Sequence, residues 1–244
     1  MYKSIFLIIL CSVLSAAVIN VPGDVSTIQG GIDAAEIGDT VLVSEGEYFE
    51  NLILEKEIVL ASHAINEEID SDWLNNQYIV GTVINGGQHP TGSNHGSCLI
   101  IRDNNINPLI FGFTFEDGTG TDMLVIDCEI TDDYQRAERS GGGILIYNAY
   151  PDIMYNKFLN NGTTSMANTG DNNLVVTNGG AISHYDNDDV EFDEDRHIDN
   201  QNLNQTRNRP ISMNIQNNYF ENNGSGNGEN FYSNGFVGDI DISN

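Results

Sequence analysis

Short apolar runs separated by polar corners recur along the chain, and they predict a fold built mainly from short β-strands. The clearest unit is residues 141–161, GGGILIYNAYPDIMYNKFLNN, in which two apolar runs are joined by an Asn-Ala-Tyr-Pro corner and end at an Asn pair. Similar units occupy residues 99–118, 178–188 and 211–223. Such recurring strand–corner–strand units are typical of repeat proteins, in which each turn of chain stacks on the one before. We interpret residues 141–161 as two sides of one turn.

The units align residue by residue. Phe115, Phe158 and Phe220 end matching runs, at separations of 43 and 62 residues. Three further pairs fall one above the other: Ile144 and Ile182, Ile146 and His184, and Tyr147 and Tyr185. The separations fit coils of about 20 to 25 residues, some of which carry insertions. Asn pairs at the corners are predicted to form hydrogen-bonded ladders, namely Asn160–Asn161, Asn217–Asn218 and Asn222–Asn223.

Residues 25–38 have helical rather than strand periodicity. Val25, Ile28 and Ile32 recur at helical spacing, and Gly38 ends the pattern. The run Ser-Thr-Ile-Gln has the form of a capping box with Ser26 as the N-cap. We expect a short amphipathic helix that covers the apolar end of the repeat array.

Apolar runs after this helix predict strands at residues 40–43, 51–54, 57–61 and 78–84. The first three are joined by links too short for an ordinary crossover between parallel strands, so they are either hairpins or successive sides of one coil. The downstream repeats favour the coil. Two later assignments follow from the same pattern: residues 123–130 continue the coils, and the polar residues 131–140 form a loop.

A family resemblance starts in residues 21–62, VPGDVSTIQGGIDAAEIGDTVLVSEGEYFENLILEKEIVLAS. This stretch resembles the opening of right-handed parallel β-helix proteins of the pectin-lyase-like superfamily. Residues 112–120, 141–161 and 215–226 resemble coils of that family. The resemblance implies an all-β fold, a right-handed parallel β-helix (solenoid) with a short N-terminal capping α-helix. We expect a single domain over residues 18–244 that ends within a coil and is therefore incomplete at its C-terminus.

The resemblance implies a fold more than an activity. The superfamily includes pectate and alginate lyases, pectinesterases and polygalacturonases, together with secreted surface proteins that have no known reaction. Residues 46–50, GEYFE, match the G-x-Y-x-E of pectinesterases, but non-enzymatic members carry it too. We expect Tyr48 and Glu50 to be structural. Other pectinesterase signatures and the paired Asp motifs of polygalacturonases are absent from the sequence.

Composition narrows the range of partners. The formal net charge is −27, from 36 acidic and 9 basic residues, and the chain contains 32 Asn and 25 Gly. So acidic a surface repels nucleic acid and anionic lipid, and it repels polyuronates unless a divalent cation bridges them. The abundance of Asn and Gly disfavours long helices and suits a fold with many corners. Solubility or adaptation to salty water is the alternative explanation of the charge.

Residues 1–17, MYKSIFLIILCSVLSAA, have the form of a secretory signal peptide. Lys3 precedes an apolar run that is shorter than the roughly 20 residues of a membrane-spanning helix, and small residues end the segment. We therefore expect a secreted, extracellular or cell-surface protein with no integral membrane segment after signal removal. Export permits a disulfide between Cys98 and Cys128, and two free thiols are the alternative.

The insertion after residue 184 carries a dense acidic run. Its carboxylates are Asp186, Asp188, Asp189, Glu191, Asp193, Glu194 and Asp195. Ca²⁺ takes six to eight oxygen ligands, often from such loops. These residues are therefore the candidate metal ligands, with Ca²⁺ as the candidate cofactor. The run lacks the Gly and terminal Glu of an EF-hand loop, so a solvated acidic loop is the alternative.

The aligned tyrosines are the candidate carbohydrate site. If Ile144 and Ile146 point inward, strand alternation makes Tyr147 and Tyr185 point outward. They would form a platform on which sugar rings stack, with His184 and Asp186 beside it. A ladder of similar side chains without a ligand is the alternative.

A polysaccharide lyase needs a base, often Lys or Arg, beside a neutralised carboxylate. Lys56 and Lys157 are the only lysines after the predicted leader, and Lys157 is expected to be a solvated strand residue. The arginines expected in loops are Arg136, Arg139, Arg196, Arg207 and Arg209, and no pattern selects one. The function expected from the sequence is binding of an extracellular polysaccharide or cell-surface glycan, or adhesion, with Ca²⁺. A polysaccharide lyase and a purely structural stalk are the alternatives.

Overall fold

The computed structural model of the protein describes residues 16–69, 71–87, 95–102, 106–126, 135–163, 175–186, 190–192, 212–234 and 239–243. Their strands, numbered along the chain, form three parallel sheets and one mixed sheet. Sheet A contains, in spatial order, β1 (Val18–Val21), β2 (Thr40–Val43), β5 (Val59–Ser62), β9 (Leu109–Phe111), β14 (Asp152–Met154), β19 (Ser212–Gln216) and β22 (Asp239–Ser243). Sheet B contains β3 (Gly46–Tyr48), β6 (Thr82–Asn85), β10 (Thr114–Glu116), β15 (Lys157–Leu159) and β20 (Tyr219–Glu221).

The remaining elements are sheet C, a fourth sheet and short helices. Sheet C contains β4 (Leu52–Leu54), β8 (Leu99–Arg102), β13 (Ile144–Tyr147), β17 (Ile182–Tyr185) and β21 (Phe231–Asn234). The fourth sheet, called the cover sheet, contains β7 (His95–Gly96), β11 (Gly120–Ile126), β12 (Gln135–Ser140), β16 (Val175–Asn178) and β18 (Val190–Phe192). The helices are α1 (Ile28–Ala34), α2 (Gln77–Gly81) and two 3₁₀ turns, His63–Asn66 and Trp73–Asn75.

From β2 onward, the chain passes through the three parallel sheets in the constant order A, B, C. For example, β9 in sheet A leads to β10 in sheet B, then to β13 in sheet C and β14 in sheet A. The protein is thus mostly β with parallel sheets, an arrangement compatible with a parallel β-helix. Residues 141–161 contain one strand of each of the three parallel sheets, so the prediction of two sides was wrong. The missed corner is Tyr155-Asn156, which separates β14 from β15.

Matching residues of successive turns stack inside the three sheets. Phe115, Phe158 and Phe220 are register partners in sheet B, as predicted. Their rings lie parallel, with centroids 5.2 and 5.1 Å apart. Each such pair contributes about 0.5–1.5 kcal/mol beyond the burial of its area. The register of β13 and β17 confirms the pairing of Ile144 with Ile182 and of Tyr147 with Tyr185.

The Asn pairs form the predicted ladders at the corners. The first residue of each pair has a left-handed backbone: Asn160 (φ 55°), Asn217 (φ 53°) and Asn222 (φ 54°). The second residue points inward. Asn161 Oδ1 accepts a hydrogen bond from the Gly118 N–H at 2.9 Å, and the Asn161 N–H donates to Asn223 Oδ1 at 3.0 Å. The Asn side chain of each buried corner therefore satisfies backbone hydrogen-bonding groups of the preceding turn.

The short helix predicted near the N-terminus is present as α1, which buries Ile28 and Ile32 against the main core. Its N-cap is Thr27, whose hydroxyl accepts from the third helical N–H at 3.1 Å. The prediction of Ser26 as N-cap was wrong. The Gln29 side chain extends to the backbone of β4 and does not return to the cap, so no capping box forms.

Two charged side chains from the links on either side of β4 hold the ends of α1. The Glu50 carboxylate accepts from the N–H groups of Ile28 and Gln29 at 2.9 and 3.0 Å. The Lys56 Nζ donates to three carbonyls at the other end of the helix at 3.0, 2.8 and 2.8 Å. A carboxylate at the N-terminus and an ammonium at the C-terminus both complement the helix dipole. Glu50 is thus structural, as expected.

The strand predicted at residues 78–84 is only partly correct, because α2 precedes β6. Asn76 Oδ1 accepts from the N–H groups of the second and third residues of α2 at 2.9 and 3.3 Å. An Asn cap of this kind stabilises the start of a helix. The cap and the local packing outweigh the strand preference of the run YIVGTVI.

The segment expected to continue the coils and form a loop instead contributes two strands of the cover sheet. β11 and β12 pair antiparallel, and β12 also pairs in parallel with β16. Met123 of β11 packs with Ile100 and Leu145 on the outer face of sheet C. The segments inserted before and after strands of sheet C therefore form a second layer over sheet C.

No helix in the described ranges is long and apolar enough to cross a membrane. Cys98 is a buried, free thiol. Cys128 and residues 1–15 of the predicted signal peptide lie outside the described residues.

Candidate functional site

The predicted tyrosine platform lies under the cover sheet. Tyr147 and Tyr185 project from sheet C away from the main core, as strand alternation predicted, and pack in the second apolar cluster with Met123. Their exposed fractions are 4% and 0%. The expectation that they form an exposed platform was wrong, because the outer layer formed by the insertions was not foreseen. These rings are closed to a saccharide in this structure.

A polar network joins Tyr185 to the cover sheet. Its hydroxyl lies 2.6 Å from Glu138 Oε2, 2.6 Å from Ser140 Oγ and 3.0 Å from Asn178 Nδ2. All four side chains are buried. Burial, together with the charge of Glu138, raises the pKa of Tyr185 well above its ordinary value. The network fixes the cover sheet on sheet C and keeps the phenol protonated.

The other two predicted carbohydrate residues have different surroundings. His184 is buried and points inward, with Nδ1 3.2 Å from Ser233 Oγ and its ring 6.0 Å from that of Tyr150. Asp186 accepts a hydrogen bond from the Tyr150 hydroxyl at 3.0 Å. Tyr150 therefore links His184 and Asp186, whereas Tyr185 belongs to the network on the opposite face of the strand.

The predicted metal ligands fall almost entirely outside the described residues. The structure gives side-chain contacts for Asp186, and for Glu191 it gives the backbone only. Asp188, Asp189, Asp193 and Asp195 lie in the undescribed segments, as does Glu194. Among the described residues, no group of three or more His, Cys, Asp and Glu side chains is placed to hold a metal ion.

Four cationic side chains are described, and each is held in a structural contact. Lys56 caps α1, and Lys157 Nζ lies 5.8 Å from the centroid of the Tyr219 ring. Arg102 pairs with Glu55 and Arg139 with Asp122, both at 2.6 Å. Nothing is described for the side chains of the remaining candidate bases, Arg136, Arg196, Arg207 and Arg209.

A second group of aromatic side chains lies where sheets A and B meet, and sequence reasoning missed it. The group, called the aromatic corner, consists of Trp73, Phe111 and Tyr155. The Tyr155 ring meets Trp73 edge-on, with centroids 5.6 Å apart, and lies 5.4 Å from Phe111. All three side chains are only partly buried. Three strands or turns far apart in the chain contribute them, so no local pattern marked the site.

Polar and aliphatic residues lie close in the chain to the residues of the aromatic corner. Leu74 and Val80, in the segment that carries Trp73, are 36% and 45% exposed. Asp72, immediately before Trp73, accepts from Asn75 Nδ2 at 2.8 Å. Asp152, at the other end of the strand that leads to Tyr155, accepts from an Asn214 amide at 2.6 Å. The residues near the corner in the chain therefore include carboxylate and amide groups.

No protein-family model matches the chain, and no curated protein matches it. Function is therefore inferred from the fold and the geometry of these sites.

Proposed function

We propose that the chain is a right-handed parallel β-helix of the pectin-lyase-like superfamily, exported from the cell, which binds an extracellular polysaccharide or a cell-surface glycan. The constant A, B, C order of parallel strands and the Asn ladders support the fold. Within residues 21–62, which carry the resemblance, Glu50 and Lys56 hold the ends of α1. These contacts support a structural role for the GEYFE motif, to which Glu50 belongs.

The main support for binding is a row of partly exposed side chains on the outer face of sheet A. Phe111, Met154 and Gln216 are register partners on that face, and all three are half-buried. Asp152 and Asn214 form a polar step beside them. Adjacent strands lie about 4.8 Å apart, so such rows repeat regularly from one turn to the next. Rows of similar side chains that recur along the stack of turns suit a linear polysaccharide, whose sugar units also recur along one direction.

The contacts of the cationic side chains favour binding over cleavage. A lyase base must be able to approach the sugar proton, ideally beside a neutralised carboxylate. Lys56, Arg102 and Arg139 are committed to backbone carbonyls or to carboxylates, and Lys157 packs near an aromatic ring. These four side chains stabilise the fold. A lyase would need a base of this kind, whereas a binding protein needs no catalytic base.

The Ca²⁺ part of the proposal rests on the acidic run at residues 186–195. Carboxylate oxygens are the donors that Ca²⁺ prefers. In the described part of that run, Asp186 already accepts a hydrogen bond from Tyr150. The ion would therefore be held mainly by the carboxylates that follow it.

Glycan binding is tested with the secreted protein on an array of neutral and uronate polysaccharides, with and without Ca²⁺. We expect saturable binding to at least one polysaccharide and no formation of unsaturated sugar ends. Absence of binding to every polysaccharide would overturn the binding function, and appearance of unsaturated ends on a uronate would replace it with a lyase.

A further inference from the structure

We propose that the aromatic corner, Trp73, Phe111 and Tyr155, is the saccharide-binding site, and that its ligand is a neutral polysaccharide. The inference rests on the proposed function and adds to it a location and a ligand class. It replaces the tyrosine platform under the cover sheet, whose rings are buried.

The backbone of Tyr155 is the first observation. Its φ is +56°, in the left-handed region that bulky residues rarely adopt. The strand register places Tyr155 level with Gly112 (φ +79°) and Asn217 (φ +53°) in the adjoining turns. Gly and Asn adopt this conformation at low cost, whereas other residues adopt it only with steric strain between Cβ and the following carbonyl. An aromatic residue at this corner therefore opposes the local backbone preference, and such strain clusters at functional sites.

Anchoring of the neighbouring segment does not account for the strained ring. The segment 63–81 is already fixed by Ala64 and Ile79, which are both fully buried. The Thr114 hydroxyl also donates to the Ile79 carbonyl at 2.8 Å. The rings of Trp73 and Tyr155 contact each other and, unlike Ala64 and Ile79, remain partly exposed. Inside the core the rings behave differently, since Phe115 and Phe158 are fully buried and stacked.

The chemistry of the corner fits a sugar. The C–H face of a pyranose ring is apolar and packs on an aromatic ring, while its hydroxyls need polar partners. The rings of Trp73 and Tyr155 offer the apolar contact. Asp72 and Asp152, which precede these two residues in the chain by one and three positions, supply carboxylates on the same part of the surface. A stable protein–protein interface buries about 800 Å² of surface on each partner. Three partly buried rings form a smaller apolar surface than that, so the corner suits a saccharide better than a protein partner.

The charge of the molecule selects the class of polysaccharide. With a formal net charge of −27, the surface repels polyuronates and sulfated glycans. Asp72, which is exposed, and Asp152, which is partly buried, add two negative charges to this part of the surface. A neutral chain of hexoses or pentoses suffers no such penalty, and its hydroxyls donate readily to carboxylates.

Trp73 is the single tryptophan of the chain, so its fluorescence reports on this corner alone. The protein is titrated with cellohexaose, xylohexaose and mannohexaose, and with an oligogalacturonate as the anionic comparison. We expect a saturable change in Trp73 emission with at least one neutral hexasaccharide and none with the oligogalacturonate. Tyr155→Asn, which copies the residue of the adjoining turn, should weaken binding by about tenfold or more, because a central aromatic anchor is lost.

The same variant separates a binding role from a packing role. In Tyr155→Asn the relief of backbone strain offsets the loss of the ring contacts with Trp73 and Phe111, so the melting temperature of the variant should stay close to that of the unaltered protein. Phe49→Ala is the matched control, since Phe49 is an aromatic residue that is 50% exposed and lies outside the corner. It should leave the affinity for the hexasaccharide unchanged.

The outcomes distinguish this inference from the proposed function. If the unaltered protein binds polysaccharides on the array and Tyr155→Asn and Trp73→Ala bind them equally well, the corner is not the site, although the protein remains a glycan binder. If the unaltered protein binds no polysaccharide, the proposed function and this inference both fail. A change of Trp73 emission with protein concentration, without any response to sugar, would assign the corner to contact between two copies and overturn the inference.

Discussion

At Cys98, burial determines the chemistry of a single side chain. The thiol is fully buried, and its Sγ lies within hydrogen-bonding distance of two acceptors, the Glu116 carbonyl oxygen at 3.4 Å and Asn161 Oδ1 at 3.6 Å. Burial, opposed in part by backbone hydrogen bonds, raises the pKa of Cys98 to about 12 from an ordinary value of 9.0. The folded protein therefore binds this proton more tightly than the unfolded chain does. This contribution to stability is fully present below pH 9 and is lost as the pH rises through about 12.

Substitution of Cys98 by Ala should therefore change the alkaline part of the stability profile. The shift of about 3 pKa units corresponds to a loss of about 4 kcal/mol across that range in the unaltered protein. We expect Cys98→Ala to be less stable near neutral pH, because it leaves a small cavity, but to lose less stability between pH 9 and 12. Denaturant unfolding at several pH values measures both effects. Parallel profiles for the two proteins would show that the thiol does not titrate as its burial requires.

Other groups that titrate at alkaline pH do not affect the difference in stability between Cys98→Ala and the unaltered protein. Burial also raises the pKa of Tyr48 and of Tyr185. Both tyrosines are present in the two proteins, so their titration cancels in the difference.

At the scale of elements, the segment between β5 and β6 packs on a glycine. Gly112 has φ +79°, and a Cβ at that position would lie 2.6 Å from Ser62 Oγ and 3.0 Å from Ala64 Cβ. Gly112 thus meets two requirements, a left-handed backbone and room for the inserted turns. Gly38 meets only the first, because its φ is +89° and nothing lies within 4 Å of an added Cβ.

The pair Gly112→Ala and Gly38→Ala separates these requirements. Both substitutions incur the backbone cost, of about 1–2 kcal/mol. Gly112→Ala should lower the free energy of unfolding by about 1–3 kcal/mol more, because it also overpacks the contact with the inserted segment. Thermal or denaturant unfolding of the two variants measures the difference. Equal losses would mean that the segment moves freely enough to admit the methyl group.

Among the stacked turns, the features that the sequence predicted correctly are those in which similar residues repeat at matching positions. The stack of Phe115, Phe158 and Phe220 is one example, and the Asn ladders are another. The cover sheet gave no such pattern. β12 has the polar sequence QRAERS, and its buried Glu138 and Ser140 contact sheet C through hydrogen bonds with Tyr185. A strand buried by polar contacts has no hydrophobic alternation, so it was predicted to be a loop.

The aromatic corner depends on contacts between distant parts of the chain, and only one of its residues left a signal. Trp73, Phe111 and Tyr155 are brought together by the stacking of turns and by an inserted segment. Alignment of the corners nevertheless places Tyr155 level with Gly112 and Asn217. An aromatic residue at a position otherwise held by Gly and Asn was the sign that sequence reasoning overlooked. The tyrosine platform failed for the complementary reason, since register predicted its direction but could not predict the layer above it.

At the scale of the whole molecule, the excess of acidic residues opposes the compact state. The formal net charge is −27, and the described cationic side chains are already held in local contacts. Like charges on a folded surface repel, and salt shortens the range of this repulsion from about 10 Å at 0.1 M to about 3 Å at 1 M ionic strength. We therefore expect NaCl to raise the melting temperature, by about 2–4 °C for each kcal/mol of repulsion that is screened.

The acidic run at residues 186–195 adds a second expectation, which the same measurement tests. If its carboxylates hold Ca²⁺ as proposed, CaCl₂ will raise the melting temperature further than NaCl or MgCl₂ at equal ionic strength, because a bound ion stabilises the folded state by mass action. A variant with Asp188, Asp189, Asp193 and Asp195 changed to Asn should keep the response to NaCl and lose the excess due to Ca²⁺. Asp186 is left unaltered because it accepts the hydrogen bond of Tyr150. Equal effects of the three salts on the unaltered protein would show that the run acts only through its charge, and would remove Ca²⁺ from the proposed function.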